Sequence, residues 1–102
     1  MTNLPTQTQY LPLMHNESLL AQVACKALIE KLALQHTPGS EDRKFLEGGT
    51  LAASKQHMEI IEKFGRYPSR NAVLGRRNTA EEEEWLGKNP HGFSKPPEAE
   101  VE

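Results

Sequence analysis

The sequence contains few cysteines, few aromatic residues and no long apolar run, the features that stabilise many small proteins or anchor them in a membrane. Of its 102 residues one is a cysteine, Cys25, and 6% are aromatic. A single cysteine excludes an intramolecular disulfide and favours a reducing compartment. The first residues have neither a cationic segment nor an apolar run, which predicts no secretory signal. No apolar stretch approaches the ~20 residues that a membrane-spanning helix needs, so we expect a cytoplasmic protein with no membrane partner.

Motifs for metals and for common catalytic sites are also missing. The sequence has no CxxC, HExxH or GxSxG motif, no acidic calcium loop and no glycine-rich phosphate loop. We therefore predict no metal and no cofactor. The net charge is −2. The basic residues are not interleaved with aromatic ones, which argues against nucleic acid as a partner.

The sequence does contain a helical pattern: apolar residues recur at helical spacing, and no useful alternating β pattern occurs. Helices are expected at about 17–35, 50–64 and 79–86, with a loop at 37–49 and a short helical turn at 69–74. Asn16 is suited to cap the first helix. Gly65, followed by Pro68, ends the second helix. Thr79 and Glu82 form a capping box at the start of the third.

These elements predict an all-α protein built of antiparallel helical hairpins. We divide the chain into an extended lead-in (1–15), a helical domain (16–87) and a disordered tail (88–102). The lead-in holds two prolines among many Thr and Gln residues, and the tail is rich in proline and acid.

Two segments resemble a known family. Residues 10–18, YLPLMHNES, are similar to a Tyr-Met-Pro-Leu/Phe-x-His-Ser-Glu motif, and Gln22 also fits. Residues 57–86, HMEIIEKFGRYPSRNAVLGRRNTAEEEEWL, are similar to a His-x-x-x-Ile-x-x-Phe-Gly-Arg-Phe-Pro-x-Arg-Asn-x-x-Leu-Gly-Arg motif with a Thr-x-Glu-Glu helix start. Both motifs belong to DUF924, a bacterial and fungal family of unknown function. The resemblance implies a tetratricopeptide-like fold. It covers about residues 10–87 and the C-terminal half of the family's usual domain, so we expect a fragment, a truncated product or half of an assembly.

A basic segment before the third helix is the first candidate site. Residues 63–77 contain five cations and no acid. Guanidinium groups bind phosphate or carboxylate oxygens with two parallel hydrogen bonds, which suits an anionic ligand. The candidate ligand-binding residues are Arg66, Arg70, Asn71 and Arg76. The structural alternative is that the arginines satisfy helix-end carbonyls or pair with Glu17, Glu59 or Glu62.

The candidate catalytic residues are His15, Glu17 and His57. In a functional interpretation, His15 and Glu17 line a pocket and His57 acts as a general base or a hydrogen-bond donor. In a structural interpretation, Glu17 stabilises a helix start, His15 caps or packs, and His57 is a core histidine on an apolar helix face. Cys25 has no basic partner nearby in sequence and is expected to be a buried small hydrophobe.

Two functions of different classes remain open. The first is a tetratricopeptide-like binding module for a protein or peptide, with self-association through an exposed apolar face. The alternative is a small-molecule binding protein or enzyme that holds an anionic ligand with an Arg/His site. A truncated chain without independent function is a third possibility. Convergence of the candidate residues into one pocket favours the second reading, whereas pairing with carboxylates favours a structural role.

Overall fold

A computed structural model describes residues 7–90 of the chain, and the regular structure of this part is helical throughout. In order, the elements are α1 (Gln7–Met14), α2 (Leu19–Leu34), α3 (Glu41–Lys44), a π-helical segment (Phe45–Thr50), α4 (Leu51–Phe64), a 3-10 turn (Pro68–Arg70) and α5 (Ala80–Lys88). No strand occurs among these residues, so the all-α prediction is confirmed. The predicted disordered tail, from residue 91 onward, lies outside the described residues.

Helix α1 corrects one expectation, because residues 7–14 are helical and the predicted extended lead-in is wrong for this stretch. Pro12 lies inside the helix. A proline there lacks the amide hydrogen that would bond to the preceding turn. Tyr10 and Met14 offset this loss, since both are buried in the core against α2. Residues 1–6 of the predicted lead-in are outside the described part of the chain.

Helix α2 begins two residues after the predicted start, and its N-cap is Ser18 rather than Asn16. The Ser18 hydroxyl accepts a hydrogen bond from the Ala21 amide at 3.3 Å. The Asn16 side chain instead accepts one from the Ser18 amide at 2.8 Å. Asn16 therefore shapes the turn that leads into the helix, a role that short polar side chains commonly take.

The loop predicted at residues 37–49 is largely wrong. Helix α3, the π-helical segment and α4 follow one another without a break, so the chain is helical from Glu41 to Phe64. Gly48 and Gly49, interpreted from sequence as part of a loop, lie within the π-helical segment. Leu46 and Thr50 of this segment are both buried. These residues are four apart, so they lie on the same side of the helical segment and both turn inward.

Helix α2 lies at the centre of the fold and packs on both α1 and α4. Near its start, Cys25 Sγ lies 3.8 Å from Ser54 Oγ of α4. Its other end lies beside Leu46 and Leu51, so α2 and α4 run in opposite directions. The main core cluster consists of Tyr10, Met14, Cys25, Ile29, Leu32, Ala33 and Leu46. The tetratricopeptide-like arrangement stays a prediction.

The end of α4 and the start of α5 follow the sequence signals. Gly65 adopts a left-handed φ of 73° and caps α4. Thr79 and Glu82 form the capping box of α5, which ends at Lys88. A second apolar cluster lies here and consists of Ile60, Ile61 and Tyr67, with Phe64 and Trp85 packed against it. Among residues 7–90, no helix is long and apolar enough to cross a membrane.

Candidate functional site

Four segments meet at one corner of the fold: the end of α1, the start of α2, the turn after α4 and the start of α5. Tyr67 lies at its centre and is buried. Its hydroxyl donates to the Met14 carbonyl at 2.6 Å. The Gln22 amide nitrogen lies 2.7 Å from the same hydroxyl, 2.7 Å from the Met14 carbonyl and 2.8 Å from that of Asn16. Burial raises the pKa of Tyr67 to about 12, so the phenol remains a hydrogen-bond donor at neutral pH.

Glu17 forms the first ion pair of the corner. Its two carboxylate oxygens accept hydrogen bonds from the Nη1 and Nη2 atoms of Arg76, each at 2.9 Å. The Tyr67 backbone amide donates to Oε2 at 2.9 Å. Hydrogen bonding by Arg76 is the main reason that the pKa of Glu17 falls to about 2. A carboxylate with so low a pKa is a weak base near neutral pH.

Glu82 forms the second ion pair and is itself buried, with 2% of its surface exposed. It accepts from Arg66 Nε at 2.9 Å and from Arg66 Nη2 at 2.7 Å. The Thr79 amide adds a bond of 2.9 Å within the capping box. These contacts, chiefly the one with Arg66, lower the pKa of Glu82 to about 2. The carboxylate therefore stabilises both the start of α5 and the preceding turn.

Asn71 connects the two ion pairs. It is buried, its side-chain oxygen accepts from Arg76 Nε at 2.9 Å, and its side-chain nitrogen donates to Glu82 Oε1 at 3.2 Å. The same nitrogen donates to Asn78 Oδ1 at 2.8 Å. Asn71 is therefore a bridge between Arg76 and Glu82, and its polar groups are engaged by the protein.

The two histidines form a separate edge of the corner together with Arg70. The rings of His15 and His57 meet edge to face with centroids 5.4 Å apart. Nδ1 of His57 lies 2.7 Å from the Ala53 carbonyl and must carry the hydrogen, since a carbonyl only accepts. Burial lowers the pKa of His57, and the nearby His15 and Arg70 act in the same direction. This supports a neutral His57 in the core, with His15 exposed beside it.

Arg70 differs from the other candidate arginines. Its guanidinium carbon lies 4.7 Å from the centroid of the Tyr67 ring, and its Nη2 donates to the His15 carbonyl at 2.7 Å. Among residues 7–90, no carboxylate lies within ion-pair distance of Arg70. Its remaining donors are therefore not taken up by an acidic side chain of this part of the chain.

The structure thus brings the candidate residues to one corner. Two of the three candidate arginines, Arg66 and Arg76, pair with carboxylates there. Arg76 pairs with Glu17, one of the acids named from sequence, whereas Arg66 pairs with Glu82 instead of Glu59 or Glu62. The ligand-binding and catalytic roles of these residues stay predictions. Sequence reasoning missed the central role of Tyr67, although this residue lies within the second family motif. Within residues 7–90, no three His, Cys, Asp or Glu side chains are grouped to hold a metal.

A second feature lies on the opposite side of α2. The outer face of α2, as we name it, contains the exposed apolar residues Leu20, Val23, Ala24, Ala27 and Leu34, with the exposed charged residues Glu30 and Lys31 between Ala27 and Leu34. Leu20 is 79% exposed, Val23 is 50% exposed and Leu34 is 69% exposed. Large apolar side chains are thus exposed along one side of this helix.

An open groove adjoins one end of this face. It has a volume of about 380 Å³ and is lined by Ile29, Glu30, Ala33, Leu34, Leu46, Glu47 and Leu51. Leu34 therefore belongs both to the outer face and to the groove wall. The lining is apolar except for two glutamates, so the groove is suited to aliphatic side chains more than to a charged metabolite.

Comparison with known proteins gives a family and no activity. A family model described as "Bacterial protein of unknown function (DUF924)" matches residues 1–90. The chain belongs to this family, which confirms the resemblance in the two motifs. The match is wider than the 10–87 expected from the motifs alone. No curated protein and no solved structure matches the chain.

Proposed function

We propose that this DUF924 protein is a cytoplasmic helical binding module of tetratricopeptide-like fold. The outer face of α2 is its binding surface, and an apolar helix of a partner is its ligand. The observation that carries this proposal is the presence of apolar side chains on both sides of α2. The adjoining groove supplies a place for an anchoring side chain.

The two faces of α2 follow from its periodicity. Successive residues are rotated by about 100° around a helix axis. The buried residues of α2 are Gln22, Cys25, Ile29, Leu32 and Ala33. The same rotation places Leu20, Ala27 and Leu34 on the opposite side. A helix exposed to water on one side usually carries polar residues there, so the leucines and valine on this side of α2 favour a partner that covers them.

The free energy available on this face is large enough for binding. Burying one leucine or valine side chain fully contributes ~1.5–3 kcal/mol. Leu20 and Leu34 each retain more than half of their exposure, and Val23 retains half. Partner helices recognised in this way present anchors at positions i, i+3, i+4 and i+7, which match the spacing of the outer face. A protein or peptide helix therefore fits this surface better than a polar metabolite does.

The test is a nuclear magnetic resonance titration of labelled, monomeric protein with a short synthetic amphipathic Leu/Lys helix. We expect shifted or broadened amide signals at Leu20, Val23 and Leu34. Leu20→Glu removes the effect because it places a charge on the face. Val73→Glu is the matched control, since Val73 is 87% exposed and lies outside α2. Unchanged α2 signals in a monomeric sample would refute the proposal.

A second candidate function rests on Arg70. Its guanidinium is not paired with an acid among the described residues, and His15 lies beside it. A small anion bound there would receive hydrogen bonds from Arg70 and from the His15 ring beside it. Inorganic phosphate is the probe, with thermal unfolding as the readout. A melting shift that is equal in wild type and Arg70→Gln would eliminate this site.

A further inference from the structure

We infer that the partner covering the outer face of α2 is a second copy of this chain, with the two α2 helices antiparallel about Ala27. This inference rests on the proposed function, because it names the helix that the binding surface receives. It makes the protein a symmetric dimer whose contact is built from one helix of each copy.

The side-chain pattern of the outer face suits two-fold symmetry. An interface between identical copies must be complementary to itself. Leu20 and Leu34 lie at equal sequence distances before and after Ala27. Each is about 10 Å along the helix axis from Ala27, at 1.5 Å per residue. Antiparallel alignment about Ala27 therefore places Leu20 of each copy opposite Leu34 of the other.

The centre of the same face is small, which permits close approach of the two helices. Ala24 and Ala27 are both exposed and carry a single methyl group each. Packed helices lie ~8–10 Å apart, and the shorter distances require small side chains at the contact. Leucines lie at both ends of the face and alanines at its centre, while the longer Glu30 and Lys31 side chains flank Ala27 and extend toward the edges of the contact.

Charges at the edge of the face favour the antiparallel direction. Lys26 and Glu30 form an exposed ion pair at 2.9 Å along one side of α2. Reversal about Ala27 brings Lys26 of one copy to within about 3 Å, along the axis, of the level of Glu30 of the other. Opposite charges then face each other twice across the two-fold axis. In a parallel pair the two-fold axis runs along the helices and puts the two Lys26–Glu30 pairs on opposite flanks, so neither pair contacts the other.

The groove beside Leu34 provides a site for a side chain of the second copy at each end of the contact. Leu34 forms part of its wall. Because antiparallel pairing sets Leu20 of the second copy beside Leu34, that leucine lies at the groove entrance and can enter the apolar space. Symmetry repeats this contact at the other end, so both grooves are used. A contact built from one helix per copy is at the small end of specific interfaces, which predicts a dimer that dissociates on dilution.

The first experiment is sedimentation velocity of the full chain over a concentration series. We expect the mass to rise with concentration from 11.5 kDa to twice that value. Leu20→Glu is expected to weaken dimerisation at least ~10-fold, which corresponds to ~1.4 kcal/mol. Val73→Glu is expected to dimerise as wild type does. A wild-type chain that stays monomeric, or a Leu20→Glu chain that dimerises equally well, would overturn the inference.

The second experiment tests the register by oxidative crosslinking. Cys25 is fully buried, so the wild-type chain serves as the uncrosslinked background. A disulfide needs Cβ atoms about 3.5–4.5 Å apart. Ala27→Cys lies on the two-fold axis and is expected to crosslink to itself. Leu20→Cys is expected to crosslink only when mixed with Leu34→Cys. Self-crosslinking of Leu20→Cys in the absence of Leu34→Cys would establish a parallel arrangement and overturn the antiparallel one, since Ala27→Cys faces itself in both.

The two proposals fail in distinguishable ways. A wild-type chain that remains monomeric, yet binds the synthetic helix through α2, refutes the second copy as partner and supports the binding module. A monomeric chain whose α2 signals do not respond to that helix refutes both. Dimerisation that Leu20→Glu removes supports both, because the bound helix is then α2 itself.

Discussion

Replacing Glu82 by glutamine tests how much the corner contributes to stability. Glutamine has nearly the same shape and can still accept the Thr79 amide, so the capping box is kept. What is lost is the negative charge that accepts two hydrogen bonds from Arg66. The substitution therefore isolates the ion pair from the cap.

The magnitude follows from the pKa of the carboxyl group. Its pKa falls from an ordinary 4.5 to about 2 in the folded protein. At ~1.4 kcal/mol per pKa unit, this lowering gives an upper bound of ~3 kcal/mol for the charged form. Arg66 is partly open to solvent, and screening reduces the value to ~2 kcal/mol. We expect Glu82→Gln to lower the free energy of unfolding by about that amount at pH 7.

The pH dependence supplies the decisive measurement. Because the folded pKa lies below the unfolded one, the contribution is fully present above pH 4.5 and is lost as the pH falls toward 2. The difference between wild type and Glu82→Gln in urea unfolding should therefore shrink toward zero over this range. Glu59→Gln, at an exposed position of α4, is the control and is expected to change stability by less than ~0.5 kcal/mol. A difference that does not change with pH would refute the assignment to charge.

Three further substitutions test other parts of the fold by urea unfolding at pH 7. Tyr67→Phe removes the hydroxyl shared by Met14 and Gln22, and we expect a loss of ~1–3 kcal/mol because two buried hydrogen bonds, worth ~0.5–1.5 kcal/mol each, are lost. Ile29→Ala empties a fully buried core position and is expected to cost ~2–5 kcal/mol. Gly65→Ala is expected to cost ~1 kcal/mol because its φ of 73° disfavours a side chain. Losses below ~0.5 kcal/mol in any of the three would contradict the corresponding contact.

Local signals in the sequence predicted the end of α4 and the start of α5 well. Gly65 and the Thr79–Glu82 box act within a few residues of the backbone groups that they satisfy, so their effect does not depend on the rest of the fold. The helix across Pro12 could not be predicted in this way. Its stability comes from Tyr10 and Met14 packing against α2, and such tertiary contacts override local propensity.

The sequence predicted which side chains gather at the corner, but it predicted less well which of them form ion pairs with each other. The basic segment and the motif residues identified which side chains would gather after α4. The partners of Arg66 and Arg76 lie 16 and 59 residues away in sequence, so local spacing does not select them. Glu82 was recognised as a helix cap, but nothing in its neighbourhood indicates that it is buried and accepts a guanidinium as well.

Helix α2 shows how an apolar pattern can specify two contacts at once. The periodicity that predicted the helix included Leu20 and Val23 with a residue that the structure buries, Leu32. A single core needs one apolar stripe about 100° wide, and the remaining stripe is then free to be polar. In α2 the second stripe holds Leu20, Val23 and Leu34 together with the charged Glu30 and Lys31. Packing within residues 7–90 accounts for the first stripe, and the proposed association through the outer face would account for the apolar side chains of the second.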